Sequence, residues 1–97
     1  MYKILIADDE ALMRKGLCTL IDWAKLGCQI VGTAENGLQA KQAVLDYQPD
    51  IIIADIKMPV MDGLELARWV CGAQRQIQII LLTAFADLSY AQQAIQY

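Results

Sequence analysis

A chain of 97 residues, 57% of them hydrophobic, has room for one packed domain and is too apolar to be disordered. Eight basic residues against eleven acidic ones, a net charge of −3, leave no basic stripe for a nucleic-acid backbone. The longest charge-free stretch, Gln76 to Ala86, is far shorter than the roughly 18 to 20 residues of a spanning helix. Only Ile4 to Ala7 lie between Lys3 and Asp8, too short an apolar run for a secretion signal, so a cytoplasmic protein without membrane contact is expected. Cys18, Cys28 and Cys71 form no CxxC pair and fit neither a disulfide framework nor a zinc knuckle. The chain has no histidine, which excludes histidine-based catalysis and ligation within it.

In chain order, Tyr2 to Ala7 is a short apolar run rich in Ile and Leu, which predicts a buried strand. Asp8, Asp9 and Glu10 follow it directly. Met13, Leu17, Leu20 and Ile21 then recur at helical spacing, predicting an amphipathic helix that runs on towards Gly27. Gln29 to Ala34 is a second strand, and Asn36 caps a helix whose Ala40, Ala43, Val44 and Tyr47 share a face, closed by Pro49. Ile51 to Ala54, apolar throughout, is a third strand ended by Asp55. Asp62, with Glu65 three residues on, opens a helix carrying Leu64, Leu66, Ala67 and Val70, ended by Gly72. Ile77 to Leu82 is a fourth strand before Thr83, and Asp87 caps a last helix with Leu88, Ala91 and Ile95 inward.

A strand and helix alternating four times, with strands this apolar, predict a parallel sheet covered by helices on both faces. Right-handed crossovers make it doubly wound, and such sheets bind ligands beyond the carboxyl ends of their strands. Asp8 and Asp9 end the first strand, Asp55 the third and Thr83 the fourth, so all four converge on one rim. Any one aspartate at a strand end is more often a cap or loop residue, and Asp62 and Asp87 are read that way. Three carboxylates together need a cation, and an all-oxygen donor set with room for water favours magnesium. Asp55 beside such an ion can take a phosphoryl group, with the Thr83 hydroxyl meeting the charge on its oxygens.

These segments resemble the receiver domain of two-component response regulators. ILIADDE is similar to the acidic pair of that family, PDIIIADIKMPVMDGLEL to its phosphoacceptor segment, and IILLTA to its hydroxyl-bearing strand. The resemblance implies a flavodoxin-like α/β fold with strand order 2-1-3-4-5. It makes Asp55 the phosphoacceptor, with Mg²⁺ held by Asp8, Asp9, Asp55 and the backbone carbonyl of Lys57. Thr83 would bind the phosphoryl group, and small Ala84 would leave access and offer its N–H. The donor would be a sensor histidine kinase. Leu20 to Gly37 resembles the branch whose receivers precede an AraC-type DNA-binding region, so DNA would be reached only through an output domain absent from this chain. The chain is no enzyme in this reading, since it turns over no free substrate.

The same resemblance makes residues 1–97 an incomplete receiver, a (βα)₄ piece of a (βα)₅ domain, lacking the fifth strand and helix with the family's lysine and switching aromatic residue. Self-association through strand four and the last helix is then expected, because an apolar edge with few charges seeks a partner. The alternative function is a phosphorylation-impaired module, or pseudo-receiver, acting through protein contacts. A flavin site is disfavoured by Asp8, Asp9 and Glu10 where a phosphate loop would lie, and a metal-dependent phosphatase by the short chain. Pro59 and Gly63 suit a loop folding back over the site, one by fixed φ and the other by conformational freedom. Trp23 and Trp69 read as packing residues.

Overall fold

The strands predicted from apolar runs all form, and all pair in parallel. The computed structural model describes residues 1–73 and 76–82. They comprise β1 (Tyr2–Ala7), α1 (Ala11–Thr19), β2 (Cys28–Ala34), α2 (Gly37–Tyr47), β3 (Ile51–Asp55), α3 (Gly63–Gly72) and β4 (Gln78–Leu82). The sheet order is β2-β1-β3-β4, as expected for the flavodoxin-like arrangement. The last helix expected from Asp87 onward lies outside the described residues, as do Thr83 and Ala84.

Strand side chains alternate between the two faces, and that alternation divides the core. Leu5, Ala7, Ile52 and Ala54 pack on one side with Ala40, Ala43 and Val44 of α2 and Leu66 and Val70 of α3. Ile4, Ile6 and Ile53 pack on the other with Leu17 and Cys18 of α1 and with Trp23. Burying a side chain such as Ile4, Leu5, Ile6 or Ile52, all at most 1% exposed, stabilises the fold by roughly 1.5 to 3 kcal/mol each. The helix caps follow the sequence signals. Asn36 accepts a hydrogen bond from the N–H of Gln39, and Asp62 one from that of Glu65, both at 2.8 Å.

The first helix is shorter than its periodicity predicts. It ends at Thr19, leaving Leu20 86% exposed and Ile21 beyond the last turn, and a separate 3₁₀ turn at Ala24–Leu26 precedes Gly27. The reason is local: the Trp23 indole N–H donates to the Leu17 carbonyl at 2.9 Å, using an acceptor that a continuing helix would need and turning the chain back towards β2. Tyr47, predicted to share the inward face of α2, is half exposed, although its ring lies over Gly32 of β2.

The loop from β3 to α3 divides its conformational demands differently from expectation. Gly63 keeps an ordinary φ, and the left-handed residue is Val60, with φ 69°. Met61 N–H donates to the Pro59 carbonyl at 2.7 Å, so Val60 is the centre of a γ-turn of the strained, positive-φ kind. A β-branched residue pays for that conformation, by roughly 1 to 3 kcal/mol, and Val60 is 76% exposed and recovers little by burial. Val60→Gly is therefore expected to stabilise the fold by about 1 kcal/mol after glycine's extra unfolded-state entropy is set against the relief. Urea denaturation of the two proteins measures the difference, and an unchanged or lower midpoint contradicts it.

Candidate functional site

The register of the central strand pair builds the site. Ala7 of β1 lies opposite Ala54 of β3, so the residues that follow, Asp8 and Asp55, leave the sheet side by side. This is also where the connections diverge, β1 leading out to β2 and β3 to β4, the crevice in which doubly wound sheets bind ligands. Asp8 is 4% exposed. Its N–H donates to the Ala34 carbonyl at 3.0 Å, and its Oδ1 accepts from the Glu10 N–H at 2.9 Å. Asp9 is exposed on the same loop, and Asp55 is half-buried. One carboxylate oxygen from each of Asp8, Asp9 and Asp55 lies within 4.8 Å of the other two. Residues separated by 46 positions are thus brought into one anionic hollow, as the strand-end reading expects.

Crowding has an electrostatic consequence at Asp55. Its pKa is raised above the ordinary 3.8, first because burial strips water from the carboxylate and next because Asp8, and less strongly Asp9, repel its charge. The backbone N–H groups of Lys57 and Ile56 oppose the rise, that of Lys57 through a long 3.4 Å contact to Oδ1. The donor set fits a hard divalent cation: all three donors are carboxylate oxygens gathered within reach of one ion, and a positive charge between them would offset the repulsion they exert on one another.

The β3–α3 loop is held close against the site by two glycines that leave room rather than bend. A Cβ on Gly63 would fall on the Asp55 carbonyl oxygen, and Gly63 N–H donates to the Ile56 carbonyl at 2.9 Å. A Cβ on Gly37 would meet Met61, whose carbonyl accepts from the Gly37 N–H at 2.8 Å. The loop after Asp55 is therefore pinned to the first turn of α2. Sequence reading did not single out Gly37 for this, nor Arg14. The Arg14 guanidinium donates to the Asp8 backbone carbonyl at 2.6 Å and lies 3.6 Å from Glu35. A weak signal existed in the four-residue spacing of Glu10 and Arg14, but that spacing suggests a pair along the helix, whereas Arg14 turns to the strand ends.

Comparison with known proteins places this geometry. The sequence profile described as "Response regulator receiver domain" matches residues 4–97. The chain belongs to that family. The receiver is 43% identical over its whole length to the transcriptional regulatory protein YesN of Bacillus subtilis, of which it spans 26%. It is 32% identical to the transcriptional regulatory protein HptR of Staphylococcus aureus, spanning 38% of that protein. Among solved structures, the REC domain of AraT from Geobacillus stearothermophilus superimposes with a TM-score of 0.87 at 37% identity, covering 98% of this chain and 74% of that one. A two-component transcriptional regulator AraC from Clostridium phytofermentans gives 0.88 at 33% identity, covering 100% and 75%. The fold and the AraC-type resemblance drawn from the sequence are thus both found in its relatives. No helix among the described residues is long and apolar enough to cross a membrane.

The raised pKa of Asp55 sets a sign for stability. Between 3.8 and the raised value the folded receiver holds a proton that the unfolded chain has lost, so stability falls as pH rises through that window. Asp55→Asn lacks this loss. In metal-free buffer with a chelator, the variant is expected to melt above the parent at neutral pH, with the gap closing as pH falls towards 3.8. A gap that is absent, or that widens on acidification, contradicts the assignment.

Proposed function

We propose that Asp55 is the phosphoacceptor of this receiver and takes a phosphoryl group from the phosphohistidine of a sensor kinase. The observation that carries the reading is the gathering of the Asp8, Asp9 and Asp55 carboxylates within 4.8 Å at the carboxyl ends of two central strands. In the transfer, a carboxylate oxygen of Asp55 bonds to phosphorus as the bond from phosphorus to the imidazole nitrogen breaks, and that nitrogen keeps the electron pair. Asp55 must be ionised to attack, which its crowded position opposes. Asp8, Asp9, Asp55 and the Lys57 backbone carbonyl would hold Mg²⁺, which when bound neutralises the site and stabilises charge on the phosphoryl oxygens.

The chain's own residues then divide the work. Asp8, fixed through its Ala34 and Glu10 hydrogen bonds, supplies a rigid wall. Asp9, exposed at the rim, offers its carboxylate from the open side. Thr83 and Ala84, next in the sequence after β4, are proposed to bind the phosphoryl oxygens through a hydroxyl and a backbone N–H. The product is a phosphorylated regulator rather than a released molecule, so the domain serves as a signalling acceptor and not as an enzyme acting on a free substrate.

Residues 1–97 are read as the receiver part of a longer cytoplasmic regulator that reaches DNA through an output region, in keeping with the larger size of YesN and HptR. Self-association along β4 belongs to the same reading: among the described residues this strand pairs with β3 alone, and its Ile80 is 50% exposed.

Incubation with Mg²⁺ and a small acyl phosphate is expected to add one phosphoryl group to the parent, detected by mass, and none to Asp55→Asn. Labelling retained in the variant overturns the phosphoacceptor assignment. Asp9→Ala is expected to weaken Mg²⁺ binding by at least about tenfold, the scale on which even a supporting residue of a metal site acts. An unchanged calorimetric titration removes Asp9 from the site.

A further inference from the structure

We infer that Arg14 is a positioning residue for the metal site, acting through the Asp8 backbone carbonyl to aim Asp9. The inference rests on the metal reading of the Asp8, Asp9 and Asp55 cluster. Its starting point is that Asp9 is exposed and that, among the described residues, no hydrogen bond holds its carboxylate. The direction of that carboxylate depends on its backbone.

The backbone of Asp9 begins at the peptide unit whose carbonyl belongs to Asp8. Because the unit is planar, the direction of the Asp8 C=O dictates where the Asp9 nitrogen and Cα lie. Arg14 seizes that carbonyl at 2.6 Å, a charge-assisted contact of the stronger kind. Its side chain is only 16% exposed, packed between the β1–α1 loop and the end of β2, where the guanidinium also meets Glu35 at 3.6 Å. On the other side of the same residue, Asp8 N–H is tied to the Ala34 carbonyl. The link between Asp8 and Asp9 is thereby clamped from α1 and from β2 together, so that the free carboxylate at its far end stays within 4.8 Å of its partners. Glu35 is 64% exposed and its contact is long, which makes it an accessory to the clamp rather than its anchor.

Electrostatics alone predicts the opposite outcome, and that makes the idea testable. Arg14 brings positive charge towards a site that must attract a cation, so deleting the charge without disturbing geometry tightens Mg²⁺ binding. Deleting a positioning residue loosens it. In calorimetric titrations of the full chain with MgCl₂ at fixed ionic strength, Arg14→Gln is expected to weaken binding roughly tenfold, as loss of an outer-shell partner does. Arg14→Lys, which can offer one donor to the same carbonyl but not a fork, is expected to recover part of the affinity. Glu35→Gln is expected to stay within about twofold of the parent, consistent with an exposed pair. Melting in chelator checks that each variant is folded at the titration temperature. Parent affinity or tighter binding in Arg14→Gln overturns the inference, and should that variant not fold, parent or tighter affinity in Arg14→Lys does the same. A parent chain that binds no Mg²⁺ overturns the metal reading itself, a result distinguishable from either.

Discussion

The alignment of β1 with β3 is the constraint on which the rest depends. With Ala7 opposite Ala54, the two central strands release Asp8 and Asp55 at the same height, and nothing in the loops has to carry either carboxylate across the molecule. A slip of one residue in this pair would send Ile4, Ile6 and their neighbours to the wrong face of the sheet. The two cores on either side therefore hold the register, and the register holds the site. The apolar runs that make the strands buried and parallel are in this sense part of the chemistry.

What the register assembles is unfavourable taken alone. Two further carboxylates beside a half-buried Asp55 raise its pKa, and the folded chain carries that repulsion whenever all three are ionised. A small, hard, doubly charged ion placed among the three carboxylates would relieve that repulsion. The cation binding and the phosphoryl acceptance proposed for this site would draw on a single arrangement of charge.

Around the hollow the backbone is held rather than loose. Met61 is bonded to Gly37, Gly63 to Ile56, Asp8 to Ala34 and, through Arg14, to the α1 side. The strain at Val60 sits in a solvent-facing part of the β3–α3 loop, between Pro59 and the Met61 anchor. Any shift of the loop after Asp55 is consequently felt at the start of α2, because the Gly37 position has no space to absorb it. This is a physical route from the loop after Asp55 to a neighbouring helix.

Much of this was legible in the order of residues. Apolar runs marked all four strand C-terminal ends to within a residue, two of them closed by an aspartate, Asn36 and Asp62 announced their caps, and the alternation of strand and helix implied a doubly wound parallel sheet, whose strand order came with the receiver resemblance. These are short-range or topological properties, and local composition is enough to decide them. The length of α1 was not legible, because the Trp23 indole that takes the Leu17 carbonyl acts from beyond the helix. Nor was the division of labour between Val60 and Gly63, since a tight approach to the Asp55 carbonyl and a positive φ call for the same residue type in a sequence and only the folded loop separates them. Arg14 is the clearest case. Its neighbours in sequence suggest a pair on one helix, but the carbonyl and carboxylate it meets come from the ends of β1 and β2, and only the packed sheet brings them within its reach.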